Sequence, residues 1–231
     1  MKDKTLLIIP AFNEEFVMGR AVDLALECKR QRIVDDFIVI NDHSDDRTAE
    51  VAQLRGAEVK NSFFRKNGKG ECYLTALAHC VRRRATILAM LDADIMQASP
   101  QQVREMIDEL KCNPAAKMAV HPVNEDYVSK DEHDICQRLS GARAIRVNAA
   151  LGLLFNRNFL RACMGFGLEL ALNKWLSIKH GKEAVVFMPE GKYAPLQMRK
   201  HLRRPDVFRR QMEDIRKATI ILSQRRPRFA G

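Results

Sequence analysis

The sequence predicts an α/β protein built on a mostly parallel sheet with helices on both faces. Two observations carry that expectation. Short apolar runs alternate with stretches whose apolar residues recur at helical spacing, and polar clusters follow directly on the apolar runs. Strands joined through helices must be reached by crossovers, so they pair in parallel and are covered on both faces.

Thr5 to Ile9 is an apolar run stopped by Pro10, which makes it the first strand; Val17, Ala21, Leu24, Ala25 and Cys28 then mark one face of a helix. Phe37 to Ile40 gives a second strand, Asp45 to Leu54 a short helix and Ala57 to Val59 a third strand. Tyr73, Leu77, Ala78 and Val81 outline the buried face of the next helix, and Ile87 to Leu91 is the fourth strand. Ser99 caps and Pro100 opens a helix carrying Val103, Met106, Ile107 and Leu110 on one side. Beyond Asp94 the alternation fades. Met118 to Val123, Leu151 to Phe155 and Val185 to Met188 read as strands of a less regular second half, and Asn124 to Asp134 as an exposed polar loop.

A chain of 231 residues with 46% hydrophobic content has enough apolar material for one α/β domain with a real core. Its six cysteines never fall at Cys-x-x-Cys spacing and no secretory leader precedes them. They are expected to be reduced thiols in the cytosol rather than disulfides or a zinc site. The longest nearly uninterrupted apolar stretch, Ala149 to Phe155, is far short of the roughly 20 residues a membrane span needs. The net charge of +10 is uneven: between Met198 and Arg228 eleven Lys and Arg face three acidic residues. Such a tail is either a solvated basic helix or a surface attracting phosphate-bearing substrates, acidic lipid head groups or nucleic acid.

In parallel sheets ligands collect beyond the carboxyl ends of the strands. Three polar clusters sit there: Pro10-Ala11-Phe12-Asn13-Glu14-Glu15, Asn41-Asp42-His43-Ser44-Asp45-Asp46 and Asp92-Ala93-Asp94. Along a strand residues two apart face the same way, so Asp92 and Asp94 can share a hard divalent cation suited to a nucleoside diphosphate. An ionised Asp42 is acceptor-only and can receive an N–H from a base edge, or it is a turn residue beside Ser44 and Asp45. Asn67-Gly68-Lys69-Gly70 places two glycines around a lysine before a helix, where unpaired N–H groups favour anions; otherwise it is a plain turn. It lacks the spacing of a P-loop.

These pieces in this order, with Gly165-Phe166-Gly167-Leu168-Glu169, resemble the nucleotide-sugar glycosyltransferases of the GT-A fold, in particular the family 2 group, over about residues 4 to 200. Pro10 to Glu15 and Gly68-Lys69-Gly70-Glu71 are also similar to glucosyl-3-phosphoglycerate synthases, which are usually longer. The resemblance implies a GT-A domain over residues 1–200, with a nucleotide-binding half (1–95) and an acceptor-side half (96–200), followed by a basic helical tail (201–231). It implies transfer of a hexose from a UDP- or GDP-linked donor. Pro10, Ala11 and Phe12 would wall the base, Asp42 would read its N–H, Glu14 would accept from a ribose hydroxyl or the base, and Lys69 would meet the diphosphate.

The metal implied is Mg2+ or Mn2+, with Asp94 binding it directly and Asp92 reaching the ribose or a metal-bound water. A third ligand is often a late histidine in this fold; the match here is poor, and His201 is either that ligand after a small insertion or, as the basic segment around it favours, a surface residue. Glu169 would deprotonate the acceptor, as in inverting members, or hold donor hydroxyls, as in retaining ones; without the resemblance it is an acid favourable in a first helical turn. The acceptor is expected to be acidic, phosphate-bearing or lipid-linked, and the protein cytoplasmic, with peripheral contact to anionic membrane at the inner face. The competing expectation is a catalytically lapsed GT-A-like domain that docks to membrane or nucleic acid through its tail. Intact Asp42, Asp92, Asp94 and Glu169 weigh against it, and nucleic acid is the partner least expected. A nucleotidyltransferase would carry a Gly-rich loop where Pro10 to Glu14 stand.

Overall fold

The computed structural model describes residues 3–63, 68–122, 139–163, 167–189 and 205–223, the last with side chains from 213 onward. Its strands are β1 (Thr5–Ala11), β2 (Asp36–Asn41), β3 (Val59–Asn61), β4 (Ile87–Met90), β5 (Met118–Val120), β6 (Arg143–Arg146) and β7 (Val185–Phe187). They form one seven-stranded sheet in the order β3-β2-β1-β4-β6-β5-β7. All run the same way except β6, which is antiparallel to both β4 and β5.

β1 lies in the middle of the parallel half, and every one of its residues is buried. That explains why its sequence is a continuous apolar run rather than an alternating one. Its side chains nevertheless divide by the pleat. Leu7 and Ile9 join Val39, Ala89 and Ala144 under α1 (Glu15–Arg30) and α4 (Pro100–Cys112). Leu6 and Ile8 join Ile40, Met90, Val120 and Ile145 under α3 (Lys69–Arg83) and α7 (Leu168–His180). The sheet is thus covered on both faces, as the alternation predicts.

α4 begins as expected. Ser99 and Gln102 form a capping box around Pro100, and Val103, Met106, Ile107 and Leu110 are buried. α2 spans Thr48–Leu54 rather than starting at Asp45, because the Asp46 carboxylate accepts the Thr48 N–H at 2.9 Å and holds the preceding residues in a loop. The face of α3 is rotated from the one expected. Tyr73, Ala76, Leu77 and Cys80 turn inward, whereas Ala78 and Val81 are exposed, since a 3.6-residue repeat centred on the first four carries those two off the face.

The expected strand over Leu151 to Phe155 is a helix: α5 (Val147–Leu151) runs into a 3-10 turn (Gly152–Phe155). Leu153 is buried while Phe155 is 92% exposed, and the run has no β-branched residue to favour a pleat. α6 (Arg157–Ala162) follows, capped by Asn156, and α8 (Pro205–Ser223) packs against α6 and α7 with Ala218 buried. No helix among the described residues is long and apolar enough to cross a membrane. The loop expected over Asn124 to Asp134 lies outside the described residues.

Candidate active site

β1 and β2 end side by side, with Pro10 opposite Ile40 and Ala11 opposite Asn41, so their two polar clusters become one wall. Hydrogen bonds lock it. The Asn13 N–H donates to the Ser44 Oγ at 3.0 Å, Asp45 N–H to the Asn13 Oδ1 at 2.9 Å, and Glu14 N–H to the Thr48 Oγ1 at 2.7 Å. Asn13 and His43 adopt left-handed backbone with φ of 56° and 55°, a conformation Asn and His tolerate better than most residues, and this lets the two loops face each other. Glu14 and Asp42 are buried at this wall, whereas Phe12 is half-exposed at its rim.

Asp42 does more than mark a strand end. Its Oδ1 accepts the Ser62 hydroxyl at 2.7 Å and its Oδ2 accepts the Gly68 N–H at 3.1 Å. The carboxylate thereby ties the end of β2 to the start of α3, where Gly68 has a φ of 103° that favours glycine. Ionised carboxylates offer about four lone-pair positions, so Asp42 retains capacity for another donor.

Lys69, the first residue of α3, joins two carboxylates from distant parts of the chain. Its Nζ lies 2.6 Å from the Asp92 Oδ2 and 2.6 Å from the Glu169 Oε1. Three elements meet there: the helix after β3, the segment after β4 and the first turn of α7. Burial pulls the Lys69 pKa down, but Asp92 and Glu169 more than reverse this and hold it raised, so the ammonium stays charged. The other Asp92 oxygen, Oδ1, is buried with no hydrogen-bond partner.

The segment carrying the aspartates differs from the expected strand end. β4 stops at Met90, and Asp92 and Asp94 lie in and beside a turn in which Ile95 N–H donates to the Asp92 carbonyl at 3.3 Å. Strand alternation therefore does not relate the two carboxylates; turn geometry does. Both are buried.

Further residues belong to the site that the sequence did not suggest. Gly141 presses on Asp92 so closely that a Cβ there would sit 1.9 Å from the Asp92 Oδ2. Arg143 is fully buried, donates to the Ser140 carbonyl from Nε at 3.0 Å and reaches the Asn173 Oδ1 on α7 at 3.4 Å. Burial pulls its pKa down, while Glu169 and Asp92 attract its charge. Glu71, in the first turn of α3, is fully buried and neither carboxylate oxygen has a hydrogen-bond partner.

Burial lifts the Glu71 carboxyl above its ordinary range, and the Asp42 charge adds to the lift. A folded state that holds a proton more tightly than the unfolded chain loses stability as pH rises from the ordinary carboxylate value through the raised one. Glu71→Gln removes that loss. The variant is expected to be more stable than wild type at pH 8 by on the order of 1 kcal/mol, roughly 2–4 °C for a chain of this size. Thermal melts at pH 8 and pH 5 check this. The gain should shrink at pH 5, and an equal or opposite difference at both values would contradict the assignment.

A hard divalent cation fits what is present. The buried, unpartnered Asp92 Oδ1 and the carboxylate of Asp94, two residues on, are oxygen donors of the kind such an ion takes, and so small a protein ligand set suits an ion that also binds phosphate and water. Among the described residues, no group of three or more His, Cys, Asp or Glu is assembled around one point. His201, Asn67, Gly165 and Phe166 lie outside the described residues.

Comparison with known proteins adds findings of three kinds. The family model described as Glycosyl transferase family 2 matches residues 6–162. A 4,4'-diaponeurosporenoate glycosyltransferase of Staphylococcus haemolyticus is 38% identical over 95 residues, covering 38% of this chain and 24% of the relative. Its Staphylococcus aureus counterpart is 32% identical over 122 residues, covering 47% and 31%. The chain thus spans about a quarter to a third of the curated relatives it matches. Glucosyl-3-phosphoglycerate synthase from Mycobacterium tuberculosis, solved with Mn2+, UDP and phosphoglyceric acid, superposes with a TM-score of 0.77 at 18% identity, covering 97% of this chain and 80% of that one. The same enzyme with Mn2+ and UDP-glucose gives 0.73 at 19% identity over 94% and 79%. At such identity the likeness establishes the fold, the GT-A arrangement.

Proposed function

The chain belongs to glycosyl transferase family 2, and from that premise we propose that it is a metal-dependent hexosyltransferase drawing on a nucleoside-diphosphate sugar, UDP- or GDP-linked. One observation supports this most: a single ammonium, Lys69, bridges Asp92 on the nucleotide side and Glu169 on the acceptor side, beside the wall formed by the β1 and β2 loops. Groups for binding a donor and for activating an acceptor then lie within one side chain's reach of each other.

Pro10, Ala11 and Phe12 wall the base. Asp42, oriented by Ser62 and Gly68, takes the base N–H on its remaining lone pairs, and Glu14 accepts from a ribose hydroxyl or the base. Lys69 and the N–H groups opening α3 receive the diphosphate. Asp94 and Asp92 hold Mg2+ or Mn2+. When bound, that ion offsets the charge gathering on the leaving nucleoside diphosphate. Glu169 takes the acceptor proton if the reaction inverts, and holds sugar hydroxyls if it retains.

The structural neighbours were solved with phosphoglyceric acid and glycerol 3-phosphate, and the curated relatives are named for diaponeurosporenoate. With this chain's net charge of +10, these support an acceptor that is phosphate-bearing or lipid-linked.

Incubation with UDP-glucose, UDP-GlcNAc, UDP-galactose and GDP-mannose, in Mn2+ or in EDTA, tests the proposal through release of nucleoside diphosphate. One donor should be hydrolysed in Mn2+ and spared in EDTA. Failure of every donor to bind or turn over under any metal condition would end the enzymatic interpretation.

A further inference from the structure

Asp92 and Glu169 have side chains only 8% and 7% exposed, and both lie on the same ammonium. Carboxylates so buried need a counter-charge, since stripping one away leaves a costly unpaired ion. Arg143 attracts both, yet its hydrogen bonds go to the Ser140 carbonyl, Asn173 and the Met118 sulfur. Direct contact with both comes from Lys69. A divalent cation brought to Asp92 would share the carboxylate with an ammonium already 2.6 Å from its Oδ2, and two like charges held on one carboxylate repel each other in a poorly solvated site.

We propose that Lys69 is a resident counterion of the donor site: it disfavours binding of a bare divalent ion and yields to the ion only together with a nucleoside diphosphate. This rests on the functional proposal above. The phosphates offer the ammonium another anionic partner at the start of α3, so the side chain can leave Asp92 to the metal. The same movement releases Glu169. A donor-side event is thereby linked to the acceptor-side carboxylate, because one side chain bonds both. The long lysine stem between Gly68 and Gly70 allows the displacement, while Asp42 keeps the Gly68 N–H fixed at 3.1 Å.

Coupling between two ligands is reciprocal, so it can be read from either. Binding of Mn2+ alone, followed by electron paramagnetic resonance at pH 8, is compared in wild type, Lys69→Met and Lys69→Arg, then repeated with saturating UDP and with GDP. Lys69→Met should bind Mn2+ alone at least tenfold more tightly than wild type. The tightening of Mn2+ by nucleotide, tenfold or more in wild type, should shrink severalfold in that variant, to the part that phosphate oxygens supply as metal ligands, and Lys69→Arg should keep weak Mn2+ binding. If Lys69→Met does not fold, Lys69→Gln, which still donates to a carboxylate but carries no charge, is read by the same criteria. Equal or weaker Mn2+ binding by the neutral variant, or unchanged coupling, would overturn the inference. Wild type binding neither UDP nor GDP in any metal condition would instead remove the functional proposal, whereas nucleotide binding uncoupled from Mn2+ removes this inference alone.

Discussion

Gly141→Ala is expected to lower donor turnover about 100-fold while leaving the fold intact. The register explains why: β6 runs antiparallel to β4 with Arg143 opposite Met90, and continuing that pairing by two residues sets Gly141 opposite Asp92. A Cβ at 141 would meet the Asp92 Oδ2 at 1.9 Å, Cγ at 2.2 Å and Oδ1 at 2.5 Å. The carboxylate must therefore move, and in moving it breaks the 2.6 Å contact with Lys69 and displaces the unpartnered Oδ1. A shift of about 1 Å in a positioning group is worth roughly 10²-fold in rate. The check is kcat/KM for donor hydrolysis alongside a thermal melt. Activity within about threefold of wild type would show that Asp92 does not hold the donor in the position assigned to it.

Glu169→Gln should have an effect of similar size but a different signature. Glutamine preserves shape and can still accept from Lys69, yet it cannot take a proton. If the carboxylate acts as general base, acceptor-dependent turnover falls by about 10²–10⁴ with donor KM little changed. A mere first-turn acid at the start of α7 would contribute only about 0.3–1 kcal/mol of stability through the helix dipole, and no rate effect. Initial rates against donor concentration, with a melt of the same sample, separate the two. A variant with near wild-type turnover and a slightly lower melting temperature would leave Glu169 a structural role only.

The parallel half of the sheet was readable because its strands are buried on both faces and its helices carry strong apolar periodicity, as in Leu6 to Ile9 and Val103 to Leu110. β6 was not. Arg143 and Arg146 bracket it, and a strand with a charge at each end does not look apolar. Burial of Arg143 becomes intelligible only when the Ser140 carbonyl and Asn173 are seen around its guanidinium. Gly141 was hidden for the same reason, since its role depends on a neighbouring strand far away in sequence.

Asp42 and Asp92 stood out as carboxylates directly after apolar runs and Lys69 as a cation between two glycines at a helix start, while Glu169 stood out through the family resemblance. What one-dimensional spacing did not supply was their connection. The Lys69 bridge to Glu169 spans 100 residues. Asp92 and Asp94 were related by strand alternation in the sequence, whereas a turn relates them in the fold. Glu71, an apparently ordinary helix-start acid, is instead fully buried, which no local pattern around Gly70 announces.

The central claim, that a cation at Asp92 and Asp94 anchors a nucleoside diphosphate against the loops of Pro10 and Asp42, is tested most directly by calorimetric titration. UDP and GDP are titrated into wild type and Asp94→Ala, each with Mn2+ and with EDTA. Wild type should bind one of them in Mn2+ at least tenfold more tightly than in EDTA, and Asp94→Ala should lose that difference while keeping the wild-type melting profile. Equal nucleotide affinity with and without metal in wild type, or an unaltered metal effect in a folded Asp94→Ala, would contradict it.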